Sequence, residues 1–310
     1  MDYLVGIDIG GTTVKMGFVD LNGNIIKKWE ILTRKEEKGR FILTDIASSL
    51  LARMEEDSIQ SKEIYGIGFG VPGPVYKNEV LICANLGWEH LNVSEEFAKL
   101  IPFKTNIVVG NDANMAAYGE ISQAGRPIKN AVMITLGTGV GGGVIIDGMP
   151  VDGIHGAGGE FGHTKIDFMH NFKCNCGNSG CLETVTSATG VVNIAKEYMK
   201  GAETKLNDIP NVSCKDVFDL ALKGDVVCQR TVEEFGYYLG LATSLVACVI
   251  DPECFYIGGG VSKSGQQLID VIEKYYKKFV FGPLKETKFY IAKLGNDSGM
   301  VGAAMLSKNV

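Results

Sequence analysis

The hydrophobic residues of this chain fall into short runs that end in glycine-rich turns. Tyr3–Ile9 and Ile64–Val71 are such runs, and their length and apolar composition predict buried strands. The same pattern predicts strands at 14–19, 107–109, 131–136, 144–146, 253–257 and 289–293. Apolar residues at helical spacing predict helices at 40–54, 93–100, 187–200, 217–223, 226–249, 265–279 and 299–306, and a helix that follows 110–114 and ends near 120.

Two of the predicted strand pairs are joined by loops of glycine and threonine. The first loop lies at 10–13, and the strand after it ends in an Asn-Gly pair at 22–23, which is a strong signal for a hairpin turn. Because two glycines of the loop lack side chains, their backbone amides can approach a phosphate closely. The two threonines add hydroxyl donors and Lys15 adds a positive charge. Taken alone, however, such a loop is only a turn.

The loop at 137–143 repeats this design. It follows a predicted strand and leads into another, which ends in an Asp-Gly turn at 147–148. Its glycines also match G-x-G-x-x-G, but that dinucleotide fingerprint has to open a helix, and here it opens a strand. A dinucleotide site is therefore excluded. Two such loops in one chain predict two related domains that face each other across a phosphate.

A dense group of metal-ligating residues lies in the middle of the chain. Cys174, Cys176 and Cys181 fall within eight residues, and His163 precedes the first of them by eleven. Three thiols and one imidazole make a complete tetrahedral zinc set, and a site with four protein ligands is structural. The glycines of C-x-C-G-x-x-G-C allow the tight turns that bring three sulfur atoms together. The alternative is a reduced loop with three incidental cysteines and a core histidine.

Three carboxylates stand next to these features. Glu160 and Glu183 bracket the cysteine cluster, and their oxygen atoms at the edge of a fixed loop are suited to recognition of hydroxyl groups. Asp112 follows Asn111 just past a predicted strand, at the end of the strand where α/β sheets bind ligands. For an isolated Asn-Asp pair, the simpler interpretation of Asp112 is a helix N-cap.

Composition excludes several classes of protein. The 310 residues are 45% hydrophobic with a net charge of −6, and no basic run exists, which argues against a nucleic-acid partner. The longest apolar stretch, at 239–250, is too short to span a bilayer, and no signal peptide is recognisable. Eight cysteines, three of them clustered as ligands, are typical of a reducing compartment. We therefore expect a cytoplasmic protein without a membrane partner.

Motifs in a fixed order connect these features to a known family. They are DIGGTTVK at 8–15, VPGPV at 71–75, GNDAN at 110–114, LGTGVGGG at 136–143, EFGH at 160–163, CNCGNSGCLE at 174–183 and three glycines at 258–260. Over essentially the whole chain they resemble the ROK family of sugar kinases and sugar-responsive repressors, and above all its bacterial glucokinases. The glycine loops alone are weak evidence, whereas the cysteine cluster with its flanking glutamates is specific.

The resemblance implies the α/β actin-like ATPase (ribonuclease H-like) fold, with two domains, a cleft between them and a structural zinc loop. It places a small domain at 1–115 plus 294–310. The larger domain, at 116–293, would carry the zinc loop and the contacts of a homodimer or a dimer of dimers.

The resemblance also implies an ATP-dependent hexose kinase that phosphorylates the 6-hydroxyl of glucose, with Asp112 as the general base. The implied sugar ligands are Asn85, Asn111, Asp112, Glu160, His163 and Glu183. The residues expected to contact Mg-ATP are Asp8, Gly10, Gly11, Thr12, Lys15, Thr138, Gly139, Gly258 and Gly259. The implied zinc ligands are His163, Cys174, Cys176 and Cys181. For Asp8 the alternative is a carboxylate that caps its own turn.

One segment departs from the family pattern. The stretch TKIDFMHNFK, at 164–173, lacks the expected glycine and proline and is one residue longer, which predicts a different shape for the nearby sugar pocket. His170 is a spare metal ligand in this segment, although a solvated loop histidine is the simpler interpretation.

Several rival functions stay open. The substrate can be another hexose, such as N-acetylmannosamine, allose or fructose, because the motifs do not separate these sugars. A repressor of the same family would carry a helix-turn-helix ahead of the first strand, where only two residues stand here. An inactive sugar sensor is opposed by the intact Asp112 and both glycine loops.

Overall fold

The structure, a computed structural model, describes residues 2–309 and divides into two compact units. Unit 1 contains residues 2–129, 143–159 and 294–309, and unit 2 contains residues 130–142 and 160–293. Both units contain helices and strands, which confirms the predicted α/β class.

The strands lie in two stretches of the described chain, from Tyr3 to Pro150 and from Cys254 to Ile291. In order they are β1 (Tyr3–Ile9), β2 (Thr13–Val19), β3 (Ile25–Leu32), β4 (Ile64–Val71), β5 (Val75–Tyr76), β6 (Glu79–Cys83), β7 (Trp88–Asn92), β8 (Asn106–Asn111), β9 (Ala131–Leu136), β10 (Val140–Ile146), β11 (Met149–Pro150), β12 (Cys254–Gly258) and β13 (Lys288–Ile291).

The helices alternate with these strands at first and then dominate the second half. They are α1 (Glu36–Gly39), α2 (Ile42–Glu56), α3 (Val93–Ala98), α4 (Asp112–Ser122), α5 (Glu183–Thr186), α6 (Ala188–Met199), α7 (Cys214–Leu222), α8 (Val226–Ile250), α9 (Gln266–Phe279) and α10 (Ser298–Ser307). Between residues 2 and 309, no helix combines the length and the hydrophobicity that a membrane span requires.

The first sheet has the strand order β3-β2-β1-β4-β8. Strands β1 and β2 form the antiparallel hairpin that the glycine loop predicts, with Ile9 opposite Val14. Strands β1, β4 and β8 are parallel. The register aligns Asp8 with Gly70, and Gly70 with Gly110, so Asp8 and the start of α4 lie at the same edge of the sheet.

One face of the first sheet is apolar and carries the core of unit 1. Side chains of β1 and β4 pack there with those of α2 and α3. Phe69 and Phe97 meet edge to face, with ring centroids 4.8 Å apart. Burial of these side chains is the main contribution to the stability of this unit.

Successive side chains of a strand point to opposite faces of the sheet. On the face opposite the core, β1 and β4 carry glycine. Gly6 of β1 and Gly68 of β4 lie on this face, under α10. A Cβ atom on Gly68 would lie 1.8 Å from the carbonyl oxygen of Ala303, and one on Gly6 would lie 2.0 Å from that of Met300. The backbone of α10 therefore rests directly on the backbone of the sheet.

We expect Gly68→Ala to lower the free energy of unfolding by about 3 kcal/mol, because the methyl group meets backbone atoms that cannot move aside. Chemical denaturation measures this loss. The matched control is Gly70→Ala on the same strand, where the nearest atom to the new Cβ would be Met115 Cγ at 3.4 Å. Equal stability of the two variants would contradict the close approach of α10.

The second sheet has the strand order β11-β10-β9-β12-β13. Strand β12 is parallel to β9 and to β13, and β10 is antiparallel to β11. Both sheets therefore have the same plan, in which three strands consecutive in the chain are extended on one side by two later strands. This repeated plan agrees with the similar design of the two glycine loops.

The structure corrects several details of the predicted elements. Strand β10 begins at Val140, so the second loop is limited to 137–139 and not 137–143. The small sheet β5-β6-β7 and strand β3 were not predicted. Strand β5 has two residues, which is too short for a periodic signal.

The predicted domain division and the observed units differ at 116–129 and at 143–159, which belong to unit 1 and not to the larger domain as predicted. A boundary after residue 115 would cut α4, which lies wholly in unit 1. Close packing against α10 holds it there, since a Cβ on Gly302 would lie 1.7 Å from the carbonyl oxygen of Met115. The predicted domain boundaries stay a prediction.

Candidate functional site

The first glycine loop is a tight turn between β1 and β2. The Gly10 N–H donates to the Thr13 carbonyl oxygen at 2.9 Å. Thr33, which sequence reasoning missed, fixes the loop from the side, because its hydroxyl donates to the Gly10 carbonyl oxygen at 2.7 Å. No atom would lie within 4 Å of a Cβ on Gly11. Gly11 therefore leaves open space, as a loop that receives a phosphate requires.

Asp8 and Lys15 stand opposite each other on the hairpin. Their Oδ2 and Nζ atoms lie 3.9 Å apart, and the Lys15 ammonium donates to the Asn296 carbonyl oxygen at 2.9 Å. Burial raises the pKa of the Asp8 carboxyl, and the charge of Lys15 partly opposes this. The site thus holds a partly desolvated carboxylate beside a cation, a combination that suits binding of an ionic ligand.

We expect Asp8→Asn to make the protein more stable at neutral pH. Because the folded-state pKa lies above the ordinary 3.8, the contribution of Asp8 to stability is present below that value and is lost as the pH rises through the folded-state pKa. The asparagine amide does not ionise, so the variant does not lose this stability as the pH rises. Urea unfolding across the acidic to neutral range should show the two proteins diverging as the pH rises; a constant difference between them would contradict this origin.

The first residues of α4 have divided roles. Asn111 is the N-cap, since its Oδ1 accepts from the N–H groups of Ala113 at 2.9 Å and Asn114 at 3.2 Å. Its Nδ2 also donates to the Gly73 carbonyl oxygen at 3.0 Å. The capping interpretation of Asp112 is therefore wrong. Asp112 begins the helix, half-buried, and its Oδ1 accepts from the Ala113 N–H at 2.8 Å.

Two further residues of unit 1 belong to this region. Asn85 lies exposed in the turn between β6 and β7. Burial raises the pKa of the Cys83 thiol in the same segment, and the charge of Asp112 adds to this effect, so the segment lies near Asp112. Asn114 is buried and donates to Asp152 Oδ1 at 3.0 Å, which ties α4 to the chain after β11.

In unit 2, the second glycine loop and the 258–260 glycines lie at neighbouring strand ends. Strands β9 and β12 are parallel, with Thr135 opposite Gly258. Gly259 has a φ of +81°, and a Cβ there would lie 2.4 Å from the Leu136 carbonyl oxygen. Thr138 and Gly139 follow directly. Ligands of α/β sheets bind at such carboxyl ends of parallel strands.

The four predicted metal ligands come together in unit 2. The ligand atoms of His163, Cys174, Cys176 and Cys181 all lie within 4.8 Å of one another. Cys174 Sγ lies 3.6 Å from His163 Nδ1, and the sulfur atoms of Cys176 and Cys181 lie 3.7 Å apart. For Zn–S bonds of about 2.3 Å, a tetrahedral site places two sulfur atoms about 3.8 Å apart. The residues therefore fit zinc and could hold it.

The backbone around this set is shaped by two left-handed glycines. Gly177 has a φ of +93° and Gly180 a φ of +75°, which confirms the predicted tight turns. Burial raises the pKa of the Cys174 thiol to about 12, whereas the Asn178 N–H lowers that of Cys176 to about 7. Binding of a metal ion to Cys174 would therefore release a proton.

Glu160 and His163 form the exposed side of the set. His163 Nδ1 faces Cys174, and its Nε2 lies 3.8 Å from Glu160 Oε2. This distance is too long for a hydrogen bond, so Glu160 lies beside the His163 ring without fixing its orientation. The side chains of His163 and Glu160 are 38% and 46% exposed, so a ligand can reach them.

The divergent segment at 164–173 is organised by a buried carboxylate that sequence reasoning missed. Asp167 accepts from the N–H groups of Met169 at 3.1 Å and His170 at 2.9 Å, and from the Tyr238 hydroxyl at 3.0 Å. The expectation that His170 is solvated is wrong, because its Nε2 lies 2.7 Å from Glu234 Oε1 in a largely buried pair. His170 is not in the metal-ligand group.

Comparison with known proteins agrees with this arrangement. The model of the family described as "ROK family" matches residues 4–310. The chain belongs to the ROK family.

Relatives of this ROK protein include enzymes and regulators. It is 38% identical to a glucokinase from Halalkalibacterium halodurans, over 99% of this chain and 95% of that protein. It is 28% identical to a xylose repressor from Bacillus spizizenii, over 98% of this chain but 76% of the repressor. A ROK family glucokinase from Streptomyces griseus, solved in complex with glucose and AMPPNP, has a TM-score of 0.75 and 29% identity, covering 99% of this chain and 100% of that one.

These comparisons confirm the family and the two-domain α/β fold predicted from the motifs. They also support the reading of this ROK protein as an ATP-dependent hexose kinase. The roles of its individual residues are proposals.

Proposed function

We propose that this protein is an ATP-dependent hexose kinase that phosphorylates the 6-hydroxyl of glucose. The observation that carries the proposal is the position of Asp112, which follows β8 at the ligand-binding edge of the sheet while Asn111 takes the capping role. Glucokinases from Halalkalibacterium halodurans and Streptomyces griseus, both matched over almost the whole chain, support it.

Asp112 acts as the general base in the proposed reaction. The sugar oxygen attacks the γ-phosphorus of ATP, the bond from phosphorus to the ADP oxygen breaks, and Asp112 accepts the hydroxyl proton. The start of α4 suits this role because the N-terminal end of a helix stabilises negative charge. Asn85 and Asn111 lie in the same unit and are proposed to contact the sugar.

The two glycine loops are proposed to bind the ATP phosphates. Gly10, Gly11, Thr12 and Lys15 form the first phosphate loop, and Thr138 with Gly139 form the second. Gly258 and Gly259 are proposed to contact adenosine. A magnesium ion on the phosphates, held on the side of Asp8, would neutralise charge on the transferred group. Support for Asp8 comes from its partly desolvated carboxylate beside Lys15.

Sugar recognition is proposed for Glu160, His163 and Glu183, with zinc on His163 and the three cysteines. Zinc makes no bond to the substrate in this proposal; it orders the loop that presents these side chains. Recognition by hydrogen-bonding side chains distinguishes hydroxyl stereochemistry, because a misplaced hydroxyl leaves a partner unpaired.

The remaining proposals concern location and assembly. A cytoplasmic location is supported by three cysteines that have to stay reduced to bind metal. A homodimer or a dimer of dimers is supported by the apolar side chains of Leu245 and Val249, which α8 exposes to solvent. Light scattering on the purified protein tests the assembly.

The experiment that tests the main proposal is ADP formation with Mg-ATP against a panel of hexoses. The panel contains glucose, mannose, N-acetylmannosamine, N-acetylglucosamine, allose and fructose. We expect kcat/KM to be highest for glucose. A preference for another hexose would change the proposed substrate but not the proposed kinase activity. Absence of turnover with every sugar would overturn the proposal.

The second candidate is a kinase for another hexose, such as N-acetylmannosamine. The observation that favours it is the segment at 164–173, whose conformation is set by Asp167 and His170 next to the proposed sugar ligands. A different conformation of this segment can admit a different sugar. A sugar-responsive repressor receives less support, because the xylose repressor from Bacillus spizizenii is 28% identical to this chain and the glucokinase from Halalkalibacterium halodurans is 38% identical.

A further inference from the structure

Glu183 makes a contact that sugar recognition does not require. Its Oε2 accepts a hydrogen bond from the backbone N–H of Val140, at 3.0 Å. Val140 is the first residue of β10 and directly follows the second phosphate loop. A charged acceptor on a backbone N–H is among the stronger hydrogen bonds in proteins. The carboxylate proposed to bind sugar therefore also holds the end of the phosphate loop.

The fit between Glu183 and the loop is close. A Cβ atom on Gly139 would lie 2.3 Å from Glu183 Oε2, so the glycine leaves the space that the carboxylate occupies. Within the loop, the Gly137 N–H donates to the Gly139 carbonyl oxygen at 3.0 Å, which makes 137–139 one compact turn. A shift of Glu183 would therefore move or release this turn as a whole.

Glu183 is equally close to the metal set. It follows Cys181 by two residues, and the Cys174 sulfur lies 3.5 Å from its Oε1. The Thr184 N–H donates to the Cys181 carbonyl oxygen at 3.0 Å, so the start of α5 is fixed to the metal ligand. Because a structural metal orders the loop that binds it, a metal held by this set would also fix the position of Glu183.

We propose that Glu183 is a positioning residue that transmits the metal-bound state of the Cys/His set to the second phosphate loop. With the metal bound, Glu183 holds the Val140 N–H and keeps 137–140 ready for the phosphates of a nucleotide. Without it, the loop loses this anchor and nucleotide binding weakens. This inference rests on the proposed function for the identity of the ligand, but its structural part concerns only the loop.

The primary test is amide hydrogen exchange of the segment at 136–144, measured on the zinc-loaded protein, after stripping with a chelator, and after zinc is restored. We expect exchange at Val140 to become about tenfold faster without zinc and to recover with it. In Glu183→Ala, exchange should be fast in all three states. In Glu160→Ala, which removes the other bracketing carboxylate, the zinc dependence should persist.

Two results would overturn the inference. One is exchange at Val140 that does not respond to zinc in the wild-type protein. The other is a zinc response of full size in Glu183→Ala, which would mean that the signal reaches the loop by another contact, such as the packing of Gly162 on Val140. Unchanged exchange in β12 and β13, which belong to the same unit as Glu183, shows that each variant is folded.

A second measurement addresses the nucleotide. After removal of the chelator and return of magnesium, AMPPNP should bind the zinc-free wild-type protein about fivefold more weakly than the zinc-loaded one, and this difference should vanish in Glu183→Ala. Hexose turnover is assayed separately. A protein with zinc-dependent exchange but no turnover would refute the kinase proposal alone, and one with turnover but no zinc-dependent exchange would refute the coupling alone.

Discussion

Asp112→Asn is expected to lower kcat for hexose phosphorylation by about 10²–10⁴-fold, the usual contribution of a general base. The amide keeps the size of the side chain and its acceptor oxygen for the Ala113 N–H, but it cannot accept the proton of the attacking hydroxyl. Since Asn111 and not Asp112 caps α4, the helix keeps its cap in the variant. Steady-state kinetics with Mg-ATP and glucose measure the effect.

Glu95→Gln is the matched control, because it also changes a carboxyl group to an amide in the first turn of a helix in unit 1. We expect the control to leave kcat unchanged, and both variants to keep the sugar affinity and the unfolding midpoint of the wild-type protein. A kcat for Asp112→Asn close to that of the wild type would remove Asp112 from the mechanism and leave a structural role at the start of α4.

Loss of the metal is expected to lower both stability and sugar affinity. A metal present at about 1,000 times its dissociation constant contributes about 4 kcal/mol, which corresponds to a fall of about 10 °C in the unfolding midpoint of a unit this size. Cys176→Ser removes one ligand from an exposed position, so the change in buried volume is small. Thermal unfolding, zinc content and glucose titration measure the three effects.

Cys248→Ser is the matched control for this prediction. Its thiol is exposed like that of Cys176, but it is not part of the metal-ligand group. We expect it to match the wild type in zinc content, unfolding midpoint and glucose affinity. If the two serine variants behave alike, the cysteine cluster has no structural metal, and the loop is held by its own hydrogen bonds.

The sequence made the strands and the metal ligands predictable because both have short-range signals. The hairpin at 10–13 follows from glycines between two apolar runs, and the convergence of the cysteines follows from their spacing and two glycines. In contrast, the sheet β5-β6-β7 has strands of two to five residues, which carry no reliable period.

Contacts between distant residues explain most of what the sequence left open. Asp167 is buried by hydrogen bonds to its own loop and to Tyr238, which is 71 positions away in the chain. Likewise, the pairing of His170 with Glu234 depends on where α8 lies, and no local pattern reports that. The sequence does not predict the contact of Glu183 with Val140 for the same reason.

The glycine face of the first sheet has a consequence for how the protein is synthesised. Strands β1 and β4 leave the ribosome early, but α10, which covers them, follows only after unit 2, about 170 residues beyond Lys129. At about 5–20 residues per second, this stretch alone keeps the glycine face uncovered for roughly 10–30 s, and the residues between β4 and Lys129 add to that time. A nascent chain would therefore complete unit 2 before unit 1, and the open sheet is the surface that a chaperone would have to protect.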